Sequence, residues 1–127
     1  GLALSAPLLE LLMLMARRIG AEALALTPST FAAASVYDRR FLFVDGAAQG
    51  RFLALRGAGG KRPRWLLAWA VELGCMRDAE GQPLPFTPMP MLSPLSRRLI
   101  RSFDAKAWAE AREQTGRQVV TLDEEAL

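Results

Sequence analysis

The sequence predicts a mainly helical α+β domain of four or five helices with a small β-hairpin and a proline-rich extended segment. Serine or threonine shortly before proline opens apolar runs of helical spacing at Ser5-Ala6-Pro7, at Thr27-Pro28-Ser29-Thr30 and at Ser93-Pro94. Between them, Phe41-Leu42-Phe43-Val44 is a compact β-prone run followed by the turn signal Asp45-Gly46. Five prolines, at 83, 85, 88, 90 and 94, favour a polyproline-like stretch through Met91. At 127 residues, 51% of them apolar, the chain suits one core rather than two. Residues 1–122 are therefore read as a single domain, and 123–127, with Asp123, Glu124 and Glu125, as an acidic C-terminal tail.

Ser5 is placed to cap a helix over residues 6–19, with Pro7 in its first turn and room to resume toward Leu26. Its middle, Leu8 to Met15, is apolar on nearly every face, so one face is expected on the domain core and another on a second helix or subunit. No membrane span is expected. The run falls short of the roughly 20 residues a bilayer needs, holds Glu10 and stops at Arg17-Arg18. A short helix is expected over Phe31 to Ser35. The Phe41–Val44 strand should then pair, as a hairpin, with the alternating run Arg51 to Arg56, ahead of a flexible hinge at Gly57-Ala58-Gly59-Gly60.

Pro63 and Gly74 bracket the clearest helix, and Trp65, Leu66, Trp69, Ala70 and Leu73 share an apolar face that the two tryptophans mark as core-facing. Asp78 to Gly81 is a turn. After the prolines, Leu95, Leu99 and Phe103 line one face of a further helix, with Arg97, Arg98 and Arg101 on the other; Asp104 restarts it toward Gly116, and Gln118 to Leu122 make a short last strand.

Several chemistries are excluded by composition. There is no histidine and one cysteine, Cys75, so neither a Ser-His-Asp nor a Cys-His centre, nor a zinc cluster, can be assembled within one chain. The lone cysteine also suits a reducing cytoplasm. Gly57 to Arg62 looks like a phosphate loop but has Leu55 where the motif needs glycine and Arg62 where it needs serine or threonine. The carboxylates Asp38, Asp45, Asp78 and Glu80 have no spacing that pairs them. No catalytic residue, metal ligand or cofactor is therefore expected.

What remains is binding. Leu9, Leu12 and Met13 on the first helix, with Phe86, Met89 and Met91 on the proline stretch, are candidate contacts for a protein partner or a homo-oligomer. Fourteen of the 16 basic residues are arginine, which favours planar contacts with carboxylate or phosphate. Arg62 and Arg64, at a helix start where positive charge opposes the dipole, and Arg97, Arg98 and Arg101, on one helix face, are candidate anion contacts. A non-catalytic protein-binding or assembly module is thus expected, with nonspecific nucleic-acid binding as the alternative.

From Trp69 to Trp108 an apolar helix is followed by Arg77-Asp78-Ala79-Glu80-Gly81-Gln82-Pro83-Leu84-Pro85-Phe86 and then by a leucine-spaced helix ending in Phe103-Asp104-Ala105. This order resembles the tail assembly chaperones of bacteriophages, in which an acidic D-x-x-G-x-P-L-F turn separates two helices. It spans about a third of the chain. Pro85 interrupts the Leu-Phe step, prolines stand where an acidic helix start belongs, and the chain is basic. The resemblance implies a small cytoplasmic helper that keeps tail proteins soluble without cofactor or catalysis.

Overall fold

The computed structural model describes residues 6–126; Ser5, the expected first cap, lies outside them. Among the described residues there are six α-helices, a three-stranded and a two-stranded antiparallel sheet, and a short 3-10 helix. The mainly helical α+β architecture is as the sequence predicts.

Helix α1 (Ala6–Arg18) buries Leu9, Met13 and Ala16, one stripe at helical spacing. It ends at Gly20, whose φ of 76° is open to glycine at little cost. It does not resume, because Ala23–Leu26 form strand β1. Helix α2 (Phe31–Tyr37) is capped by Thr30, whose side chain accepts from the Ala33 amide at 3.1 Å.

The expected hairpin is absent. Strand β2 is Leu42–Phe43, but Asp45-Gly46 starts a helix instead of turning a chain back. The Asp45 carboxylate accepts the Ala47 amide at 2.9 Å and caps α3 (Gly46–Ala58), which buries Ala48, Phe52 and Leu55. Arg51 to Arg56 is thus helical, and Gly57-Ala58 finish the helix, leaving Gly59 and Gly60 as the break. Asp-Gly serves a turn or a cap equally well, and the Ala-Ala-Gln that follows suits the helix.

The partner of β2 lies far downstream. Strand β4 (Met91–Pro94) is the middle of the sheet β1-β4-β2, pairing Leu26 with Met91 on one side and Phe43 with Met91 on the other. The prolines permit this because only amides are lost: the Pro90 carbonyl still accepts the Val44 amide at 3.1 Å, and Pro94 sits at the end of the ladder. Ser93 is buried in this strand and opens no helix. The cap is Ser96, whose hydroxyl accepts the Leu99 amide at 3.2 Å to start α5 (Arg97–Ser102). Between α3 and β4 in sequence lie α4 (Arg64–Glu72) and strand β3 (Met76–Arg77); after α5 come α6 (Lys106–Gly116) and strand β5 (Thr121–Leu122), which pairs with β3.

The core gathers Phe31, Phe41, Phe43, Phe52, Met76 and Met91, with ring centroids of Phe31 and Phe43 at 5.2 and 5.6 Å from Phe52. Helices α3 and α6 are brought close by glycine. Gly46 and Gly50, one turn apart, lie directly under the α6 backbone at Trp108 and at Arg112 to Gly116, where no Cβ fits. Thr115 Oγ1 donates to the Ala47 carbonyl at 2.7 Å, and Trp108 Nε1 to the Phe43 carbonyl at 3.2 Å. From below, the buried Gln49 side chain accepts the Phe43 amide at 2.9 Å. Replacing Gln49 by alanine strands that amide, and a loss of about 1–3 kcal/mol is expected as a lowered urea midpoint.

Candidate partner-binding surface

Helix α4 starts after Pro63, which presets the entry, and closes at Gly74 (φ 73°), where the Cys75 amide donates to Ala70 O at 2.8 Å. Its inward residues are Leu67, Ala70 and Val71. The tryptophans expected in the core are instead outside: Trp65 is 65% and Trp69 58% exposed, and Leu73 is exposed as well. Helix α4 is apolar on two sides, and the core takes the side of Leu67, Ala70 and Val71, which leaves the bulky rings on the outer one.

Between α2 and α4 this leaves a trough. Ala32 and Ala68 contribute to its walls along with Thr30, Trp65, Trp69 and Glu72, around a volume of about 350 Å³. Beyond Trp65 it continues into a second hollow of about 220 Å³ bordered by Ser35, Val36 and Arg64. Ala32, Trp65 and Ala68 belong to both hollows, so the Trp65 ring stands between two apolar recesses. Arg64 is the first residue of α4 and Glu72 the last. Both charges oppose the helix dipole, which favours acids at the start and bases at the end. Charges set against their own helix, beside exposed aromatic rings, are not explained by stability.

The other candidate residues are placed differently from the expectation. Leu9, Met13 and Met91 are buried in the core of one copy. Phe86 and Met89 pack on that core, with the Phe86 ring 6.2 Å from Phe31, and Leu12 is half-buried. The proline segment therefore wraps its own domain, and these six residues do not form an open surface. The apolar residues of α1 that remain exposed are Leu8, Leu11, Leu14 and Met15, followed by Ile19.

Of the five arginines, two are already held by carboxylates of the same chain. Arg62 pairs with Glu124, so the acidic tail supplies the anion beside the positive start of α4, while Asp123 lies 3.6 Å from Arg77. Arg98 grips Glu22 with both edges of its guanidinium, at 3.0 and 2.6 Å. Arg64, Arg97 and Arg101 form no ion pair among the described residues.

The hydrogen bonds from Arg98 hold the Glu22 carboxyl below its ordinary value, and Arg98 in turn is held above its own. A lowered carboxyl pKa stabilises the fold above the unfolded value and is lost as pH falls through the folded one. The urea midpoints of wild type and Arg98→Met should differ at neutral pH and converge in acid, below the usual glutamate range. A gap that persists there would show that Arg98 acts by packing alone.

Three of the four carboxylates weighed as acid–base groups are engaged structurally, and Glu80 is exposed with no ion pair among the described residues. Asp45 caps α3, Asp38 pairs with Arg56 at 2.6 Å, and Asp78 accepts the amides of Glu80 and Gln82 at 3.0 and 2.9 Å in a tight turn. Among the described residues no three Cys, Asp or Glu side chains converge to hold a metal ion, and no helix is long and apolar enough to cross a membrane. Comparison with protein-family models, with curated proteins and with solved structures gives no match for this chain.

Proposed function

We propose that the chain is a non-catalytic protein-binding module whose α2/α4 trough seats an apolar segment of a partner protein. The single observation behind this is the solvent-exposed pair Trp65 and Trp69, flanking a trough with Arg64 toward one end and Glu72 toward the other. Tryptophan and arginine are the residues that most often dominate binding energy at interfaces, and alanine walls let a partner backbone approach. The fitting ligand carries leucine or aromatic side chains for the two recesses, with an acid toward Arg64 and a base toward Glu72.

The resemblance of residues 69–108 to tail assembly chaperones favours one form of this reading, a cytoplasmic helper whose partner is a virion protein. Nucleic-acid binding draws less support than the arginine count suggests, because Arg62 and Arg98 are already neutralised.

Selection of a displayed peptide library on the whole chain tests the reading. Enrichment of apolar peptides with that charge order, lost against a Trp65→Ser/Trp69→Ser chain, supports it. No enrichment, or enrichment indifferent to the tryptophans, refutes it.

A further inference from the structure

The α2/α4 trough, taken as a binding site on the reading just proposed, has two unlike hollows. Trp69 and Glu72 line only the first, Arg64 lines only the second, and Trp65 borders both. The first holds about 350 Å³, within the span of about 300–1,000 Å³ usual for small-ligand sites. Its one charge is the Glu72 carboxylate. Arg64, at the far end of α4, lies about 12 Å away along the axis, past the screening distance of about 8 Å in physiological salt.

The groups around this hollow are unused by the fold. Trp108 already carries a cation of its own chain, the Arg112 guanidinium 5.4 Å from its ring centre, and meets Phe103 edge to face. Trp65 and Trp69 have neither a cation nor another aromatic ring against them among the described residues. Glu72 forms no ion pair there either. Indole faces are electronegative, so two of them beside a carboxylate make the hollow attractive to positive charge.

Hydrogen-bond donors decide which cation fits. A lysine ammonium brings three and an arginine five, and each donor taken from water needs an acceptor. Apart from Glu72, the polar side chain of the hollow is Thr30, whose oxygen already accepts the Ala33 amide at 3.1 Å. The rest of the lining is alanine and tryptophan. A trimethylated ammonium has no donor to strand, spreads its charge over its methyl groups and buries those methyls against the rings. We propose that the first hollow binds a quaternary ammonium group, held against Trp65 and Trp69 with Glu72 as its counter-charge. A protein partner presents that chemistry as trimethyllysine, and a free ligand presents it as a choline-like head.

Three probes titrated into the full chain at constant ionic strength test this: choline, ethanolamine, which lacks the methyl groups, and neopentylcarbinol, which has carbon in place of the charged nitrogen. The indole Nε1–H resonances of Trp65 and Trp69 should saturate with choline at about tenfold lower concentration than with either other probe. Trp108, whose Nε1 donates to the Phe43 carbonyl, should stay in place. Glu72→Gln should weaken choline by about threefold and leave neopentylcarbinol unchanged. A leucine-containing peptide with one trimethyllysine assigns the cation to a protein partner if it binds more tightly than choline, and to a free ligand if it does not. No shift at Trp65 and Trp69, or choline bound no better than ethanolamine or neopentylcarbinol, overturns the proposal. Failure here is separable from failure of the trough: peptide enrichment that depends on the tryptophans, with choline and neopentylcarbinol bound alike, keeps the partner site and removes the cation.

Discussion

Gly50→Val is expected to cost the domain about 3 kcal/mol or more and to lower the thermal midpoint by about 10 °C. A Cβ at Gly50 would fall on the Thr115 hydroxyl and the Arg112 carbonyl, and within 2.8 Å of the Gly116 amide. Backbone of a packed helix cannot step aside, so α6 must lift off α3. That in turn opens the bond from Thr115 to Ala47 and the bond from Trp108 to Phe43. Gly50→Ala should also destabilise, even though alanine is the better helix former by up to about 1 kcal/mol. The internal control is Gly57→Ala in the same helix, where an added Cβ meets nothing within 4 Å. That change should raise stability by about 0.5–1 kcal/mol. Thermal or urea unfolding of the three variants therefore separates helix propensity from helix contact. Equal behaviour at positions 50 and 57 would mean that the two helices do not interlock.

Trp65→Ala and Trp69→Ala should have the opposite profile, with large effects on binding and small ones on folding. Each is expected to weaken a peptide selected on the trough by about 2 kcal/mol, roughly 30-fold, while moving stability by less than about 0.5 kcal/mol. The double charge reversal Arg64→Glu with Glu72→Arg is more telling. It aligns both charges with the α4 dipole, so the helix should gain a few tenths of a kcal/mol per charge. The same change should invert the charge order of the peptides selected. A variant that folds more firmly yet loses its original ligands separates binding from stability. Unchanged ligand preference would remove Arg64 and Glu72 from the recognition surface.

How far the trough was legible in the sequence depends on what each residue's surroundings decide. Trp65 and Trp69 share an apolar face with Ala70, and that much is visible in their spacing. Which apolar side of α4 is covered is not, because the core takes Leu67, Ala70 and Val71 and leaves the rings in water. A usable signal was present in the two end charges, Arg64 and Glu72, each at the wrong end for a helix that serves only the fold. Two of the partner-binding residues on α1 lie two positions from the exposed ones: Leu9 and Met13 face inward, while Leu11 and Met15 face out. A helix apolar on nearly every side does not announce which side its own domain claims.

The sequence by itself determined what nearest neighbours along the chain can settle. The mainly helical α+β class, a helix start within Thr27 to Thr30, the bracket of α4 by Pro63 and Gly74, the tight turn at Asp78 and the lack of histidine chemistry all rest on side chains within a few residues of one another. Tertiary structure alone decided that Asp45-Gly46 begins a helix, that β2 pairs with a strand nearly fifty residues later, and that a proline-flanked segment becomes the middle of a sheet. It also decided that Glu124 and Glu22 take up Arg62 and Arg98. Each of these depends on a group distant in sequence that competes with a local preference worth only a kcal/mol or so. Burial of the phenylalanine core and the close glycine contact between α3 and α6 outweigh preferences of that size.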